Sequence, residues 1–94
     1  MAASAGVAWR AVPASTLLVE RLDVLVAVFH RRSGITHLLA EPAPEILAAL
    51  ADAPLTTGAL LDRLRRAFDV ADEGSLAERL AELETAGLVE AVAA

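Results

Sequence analysis

The dipeptide Ser33-Gly34, set between the apolar runs Leu25 to Phe29 and Ile35 to Leu39, constrains this chain more than any other feature. Glycine supplies the positive φ that tight hairpin turns require, so two antiparallel strands are expected to meet here. Read as a two-residue loop, Ser33-Gly34 sets Arg32 opposite Ile35, Arg31 opposite Thr36, His30 opposite His37, Phe29 opposite Leu38 and Val28 opposite Leu39. Alternate pairs then lie on alternate faces, with Val26, Val28 and Leu39 on one and Leu25, Phe29 and Leu38 on the other. A loop longer by one residue breaks that pairing. The Val- and Leu-rich stretch from Thr16, with a second turn at Leu22-Asp23, adds a third strand.

After Leu39 the apolar period changes from two to about 3.6, the helical value, and three helices are expected. The first runs from about Pro42 to Ala51 on the stripe Ile46, Leu47 and Leu50, and Ala53-Pro54 ends it. The second takes Thr56 or Thr57 as its N-cap, buries Leu60, Leu61, Leu64 and Phe68, and stops near Asp69. The third opens on a capping box of Ser75 and Glu78, repeats Leu76, Leu80 and Leu83 on one face, and ends at Gly87. Leu88-Val89-Glu90 then returns to the core or adds a short extended piece. Three strands followed by three helices make an α+β domain, a three-stranded antiparallel sheet followed by a three-helix bundle. The small residues 1–8 are expected to be disordered until Trp9 packs, with 9–94 a single domain.

Composition narrows the chemistry. The chain has 94 residues and no cysteine, which excludes disulfides, thiolate metal sites and cysteine nucleophiles. The longest apolar run, Val24 to Phe29, is far short of the roughly 20 residues a membrane-spanning helix needs. No basic residue precedes an apolar stretch at the N-terminus, so the cytoplasm is the expected compartment. The net charge of −5 works against phosphate backbones unless the arginines gather on one face.

The two histidines of the hairpin are a candidate metal pair, but zinc ordinarily takes three or four protein ligands. Here no third histidine is present and Arg31 and Arg32 adjoin the pair, so no metal or other cofactor is expected. Ser4, Ser15, Ser33 and Ser75 fall in a tail, a linker, a turn and a helix start, and none sits on a nucleophile elbow. Glu82 and Glu84 are expected to face solvent, so the reading is of a protein that is not an enzyme. Two consecutive helices between Thr56 and Leu88 have the order of a helix-turn-helix, whose second helix enters the major groove. That helix carries Glu78, Glu82 and Glu84 against Arg79 alone, while Arg63, Arg65 and Arg66 sit on the helix before it. Nucleic acid is therefore not the expected partner. The third strand, Ile35 to Leu39, has no proline and no charge apart from His37. Edge strands are usually blunted by such residues, and a bare one is suited to receive an added strand from a peptide or from a second copy of the chain.

A Trp near the start, the strand-turn segment SGITHLL, the helix PAPEILAAL, the middle helix LLDRLRRAF and the closing LAERLAELETAGLVE together resemble PqqD-like proteins, in particular the branch associated with HPr-kinase-related proteins. The resemblance spans Trp9 to Val89 and is carried by the order and spacing of these segments. It implies a winged-helix-like peptide chaperone, a recognition element for ribosomally made and later modified peptides. The leader of a precursor peptide would lie along Ile35, Thr36, His37, Leu38 and Leu39. Its apolar side chains would enter a groove offered by Leu76, Arg79, Leu80 and Leu83, with Arg79 available to an acidic leader residue. The implied partners are the precursor peptide and a modifying enzyme, among which an HPr-kinase-related protein is a candidate. A homodimeric structural or regulatory module formed across the same strand is the alternative, and a winged-helix DNA-binding protein is the third reading.

Overall fold

The computed structural model describes residues 7–66 and 72–93. It runs β1 (Val7–Ala11), a 3-10 turn (Ala14–Thr16), β2 (Leu17–Leu22), β3 (Leu25–His30), β4 (Ile35–Leu39), α1 (Ala43–Leu50), α2 (Thr57–Arg65), α3 (Glu73–Thr85) and β5 (Val89–Ala93). The fold is α+β: an antiparallel sheet in the order β2-β3-β4, three helices, and a second sheet that pairs β1 with β5. The expected three strands and three helices are all present. The second sheet was not anticipated, because its strands come from opposite ends of the chain and no local turn announces the pairing. Val7 and Ala8, expected in a disordered tail, begin β1, and Ala8 is buried. Residues 1–6 of that expected tail lie outside the described residues, as do Phe68 and Asp69 at the expected end of the second helix.

Both hairpins turn later or wider than expected. Leu22 pairs with Leu25, so the first turn is Asp23-Val24, with Asp23 at φ 56. Aspartate tolerates that region better than most residues because its short side chain bonds locally. In the second hairpin His30 pairs with Ile35, Val28 with His37 and Val26 with Leu39. The loop is thus the four residues Arg31 to Gly34, and the two-residue loop is corrected. The wider turn is closed by its own polar groups. The Gly34 N–H donates to the His30 carbonyl at 2.8 Å, His30 Nδ1 meets Ser33 Oγ at 2.8 Å, and the Ile35 N–H donates to Ser33 Oγ at 3.3 Å. Gly34 has the positive φ, 74°, that its position demanded. The register moves by two residues, an even step, so every side chain keeps its face. His30 and His37 consequently sit diagonally on one face and are not opposite each other.

The helix ends follow from hydrogen-bond chemistry. Thr56 caps α2, its Oγ1 accepting from the Ala59 N–H at 3.2 Å. The cap of α3 is Asp72, three residues earlier than Ser75: the Asp72 carboxylate accepts from the Ser75 N–H at 2.7 Å, and the helix begins at Glu73. A carboxylate is a stronger acceptor than a hydroxyl, so Ser75 becomes the donor of the pair and not the cap. At the other end the Gly87 N–H donates to the Glu84 carbonyl at 2.9 Å and the Leu88 N–H to that of Leu83 at 2.9 Å. This is a Schellman closure, with Gly87 at φ 81 and its usual apolar contact supplied by buried Leu83 and Leu88. The turn sends the chain directly into β5.

One core joins these elements. The inner face of β3 contributes Val26 and Val28, α1 contributes Ile46 and Leu50, and α2 and α3 contribute Leu60, Leu64, Leu76 and Leu80. Ile46 is fully buried. Ile46→Ala is expected to cost about 2–5 kcal/mol, read as a lowered urea midpoint with unchanged m-value.

Asp72 generates a pH prediction. Its carboxyl is held below the ordinary value of 3.8, chiefly by the Ser75 backbone N–H, then by the Ser75 side chain. A lowered folded-state pKa means that the cap's contribution is fully present above the unfolded value and disappears as pH falls through the folded one. Asp72→Ala is therefore expected to lower the melting temperature at pH 7 and to leave it unchanged near pH 2. Asp72→Asn, which caps without ionising, should retain stability at pH 7.

Candidate functional site: the free edges of the three-stranded sheet

The turn geometry determines which backbone groups face outward. A two-residue hairpin loop is closed by a hydrogen-bonded pair, here Leu22 and Leu25, and such pairs alternate with non-bonded ones along an antiparallel ladder. Leu18, Glu20 and Leu22 therefore bond to β3, while Leu17, Val19 and Arg21 turn their N–H and C=O groups away from it. The Leu17 N–H confirms the direction, since it donates to the Ala14 carbonyl outside the sheet. On β3 the alternation sends Val26 and Val28 toward β4, where they pair with Leu39 and His37. Thr36 and Leu38 are left facing outward.

With the Leu17 N–H tied to Ala14, the outward residues left at the two edges are Val19 and Arg21 on β2, Thr36 and Leu38 on β4. Among the described residues no backbone hydrogen bond reaches any of these four from the open side. The two edges differ in their side chains. β2 carries Glu20 and Arg21, whereas β4 carries no charge apart from His37. Leu38 is 61% exposed and Ile35 53%, large values for apolar side chains on a strand.

The outer face of the sheet is open as well. Leu18, Leu22 and Leu38 are exposed on it, with Leu25 and Phe29 half-buried between them. The Trp9 segment packs elsewhere. Its backbone exchanges hydrogen bonds with Leu55 at 2.8 and 3.0 Å, and Trp9 Nε1 donates to Thr57 Oγ1 at 3.1 Å.

The residues named from the sequence divide into two groups. Ile35 to Leu39 form the β4 edge as expected. Leu76, Leu80 and Leu83 are buried in the core, each less than 5% exposed, because they are the stripe by which α3 packs on its neighbours. They do not line an open groove. Arg79 is half-buried and pairs with Glu82 at 3.2 Å, one turn along the same helix. His37 Nε2 and Arg79 Nε are both buried without a hydrogen-bond partner, and polar groups in that state have a standing cost that a new partner removes. Among the described residues no three of His, Asp and Glu gather as metal ligands, and no helix is long and apolar enough to cross a membrane.

Sequence reasoning missed one feature of the site, a cleft of about 360 Å³ between the inner side of β2 and helix α1. Its signal was present in Pro44, Leu47, Ala48 and Ala51, one helix face that reads apolar but is made mostly of small residues. No family model, no curated protein and no solved structure matches the chain.

Proposed function

We propose that this protein is a non-catalytic peptide chaperone of the PqqD-like kind, winged-helix-like in the arrangement of its sheet and helices. It binds the leader of a ribosomally made precursor by strand addition on β4 and presents it to a separate modifying enzyme, for which an HPr-kinase-related protein is the candidate. The reading places it in the cytoplasm and gives it no cofactor. One observation carries it: β4 is an uncharged, proline-free edge whose Thr36 and Leu38 backbone groups have no partner among the described residues. An extended peptide satisfies such groups with main-chain hydrogen bonds, and side chains beside the edge provide selection. Ile35 and Leu38 supply apolar contact, and Arg79, half-buried on α3, is the residue proposed to meet an acidic side chain of the leader. Leu76, Leu80 and Leu83 belong to the core against which Leu39 of β4 packs.

The test is titration with the precursor peptide encoded beside this chain's gene, followed by fluorescence anisotropy. Leu38→Pro removes an outward N–H and leaves the β3 ladder its own bonds, so the fold should persist by circular dichroism while affinity falls about tenfold. Leu38→Lys, which blunts the edge with a charge, should weaken binding without touching the backbone. Undiminished affinity in both variants sinks the proposal.

A homodimer is the second reading, and the apolar outer face of the sheet favours it. Leu18 stands opposite Phe29 and Leu22 opposite Leu25 there, with the Glu20–Ala27 pair between them, and exposed apolar side chains of this kind mark contact surfaces. Sedimentation equilibrium should then show a concentration-dependent dimer that Leu18→Glu dissociates. A monomer at all concentrations removes this reading.

A further inference from the structure

The cleft beside β2 meets the edge that the peptide reading leaves unused. Its floor is the α1 stripe Pro44, Leu47, Ala48 and Ala51, spaced so that all four share one helix face. Its roof is the inner side of β2, where Val19 and Arg21 stand in register with Val28 and Val26. Because the helix offers small side chains, roof and floor do not meet. Val19 remains 57% exposed although it lies on the sheet's inner face. Val19 and Arg21 are also the outward residues of β2 whose backbone N–H groups have no partner among the described residues. A free edge, an apolar cleft and a charge therefore coincide on one short strand.

The charge identifies the occupant. Arg10, Arg63 and Arg79 have carboxylate partners, in Glu90, Asp52 and Glu82. Arg31, Arg32, Arg65, Arg66 and Arg21 form no ion pair among the described residues, and of these Arg21 alone lines the cleft. We propose that β2 and α1 form a second strand-addition site, one that takes an extended peptide with an apolar and an acidic residue two positions apart. A strand added to β2 bonds to the backbone of Val19 and Arg21, and the residues directly opposite share their face and point inward. The residue opposite Val19 enters the cleft above Leu47 and Ala48. The residue opposite Arg21 meets the guanidinium, so a carboxylate is preferred there. The site stands independently of the β4 reading.

The experiment uses the full chain and two capped seven-residue threonine-rich peptides, one with Leu and Glu two positions apart, the other with Lys in place of Glu. Amide chemical shifts are followed by NMR during titration. The Glu peptide should shift the amides of Val19 and Arg21 and bind about fivefold more tightly than the Lys peptide. Arg21→Glu should invert that preference, a readout that a merely destabilised protein cannot produce. Val19→Pro should abolish the shifts while Leu38→Pro leaves them in place. Equal affinity for the two peptides, no inversion in Arg21→Glu, or shifts confined to Thr36 and Leu38 overturns the second site; the last of these outcomes leaves the β4 reading standing.

Discussion

The pairing of β1 with β5 determines what the rest of the molecule exposes. Five residues from each end of the described chain close on one another, from Val7 opposite Ala93 to Ala11 opposite Val89. The other side of β1 is held at Trp9 by the two backbone bonds to Leu55. With both its sides engaged there, β1 is unavailable to the larger sheet. The sheet of β2, β3 and β4 therefore ends in two strands with no further strand paired to them among the described residues. Had β1 continued into a meander with β2, one of those edges would have been sealed and the cleft over α1 filled.

The geometry of α3 depends on the same closure. Its Schellman turn at Gly87 points the chain from the helix straight into β5, and Leu88, fully buried, anchors the change of direction. Leu76, Leu80 and Leu83 face the core as a result. A helix that delivers the last strand of a sheet has to commit its apolar stripe to packing, which leaves little of it for a visiting chain. Arg79 escapes because it lies off that stripe, stretched along the helix to Glu82.

How much of this was legible in the sequence varies with the range of the interaction. The three strands, the caps at Thr56 and Gly87 and the helical stripes were readable because each depends on residues a few positions apart. The β3–β4 register was misjudged by two residues, because the loop is stabilised by a side chain, Ser33 reaching His30, that a count of turn residues does not contain. The error was harmless to the faces only because it was even. The α3 start was misplaced for a related reason: Asp72 and Ser75 both qualify as caps, and which becomes the acceptor depends on carboxylate strength. The β1–β5 pairing and the cleft were not legible, since both arise from segments brought together only by the completed core. Of the candidate site, Ile35 to Leu39 came from the sequence and the β2 side did not, although Arg21 and the small residues of α1 were in plain view.

The two edges differ in the kind of recognition they support. Each presents two residues' worth of main-chain donors and acceptors, so the hydrogen bonds that hold an added strand are alike in number. Around Thr36 and Leu38 the surroundings are apolar and open, which stabilises many sequences to a similar degree. Around Val19 and Arg21 a cleft limits the size of one side chain, and a guanidinium with no ion pair among the described residues chooses the charge of another. Main-chain pairing contributes affinity, and shape and charge beside it contribute discrimination. If both proposals hold, the sheet takes an extended segment at each edge, with β3, whose Val26 and Val28 are buried in the core, between them.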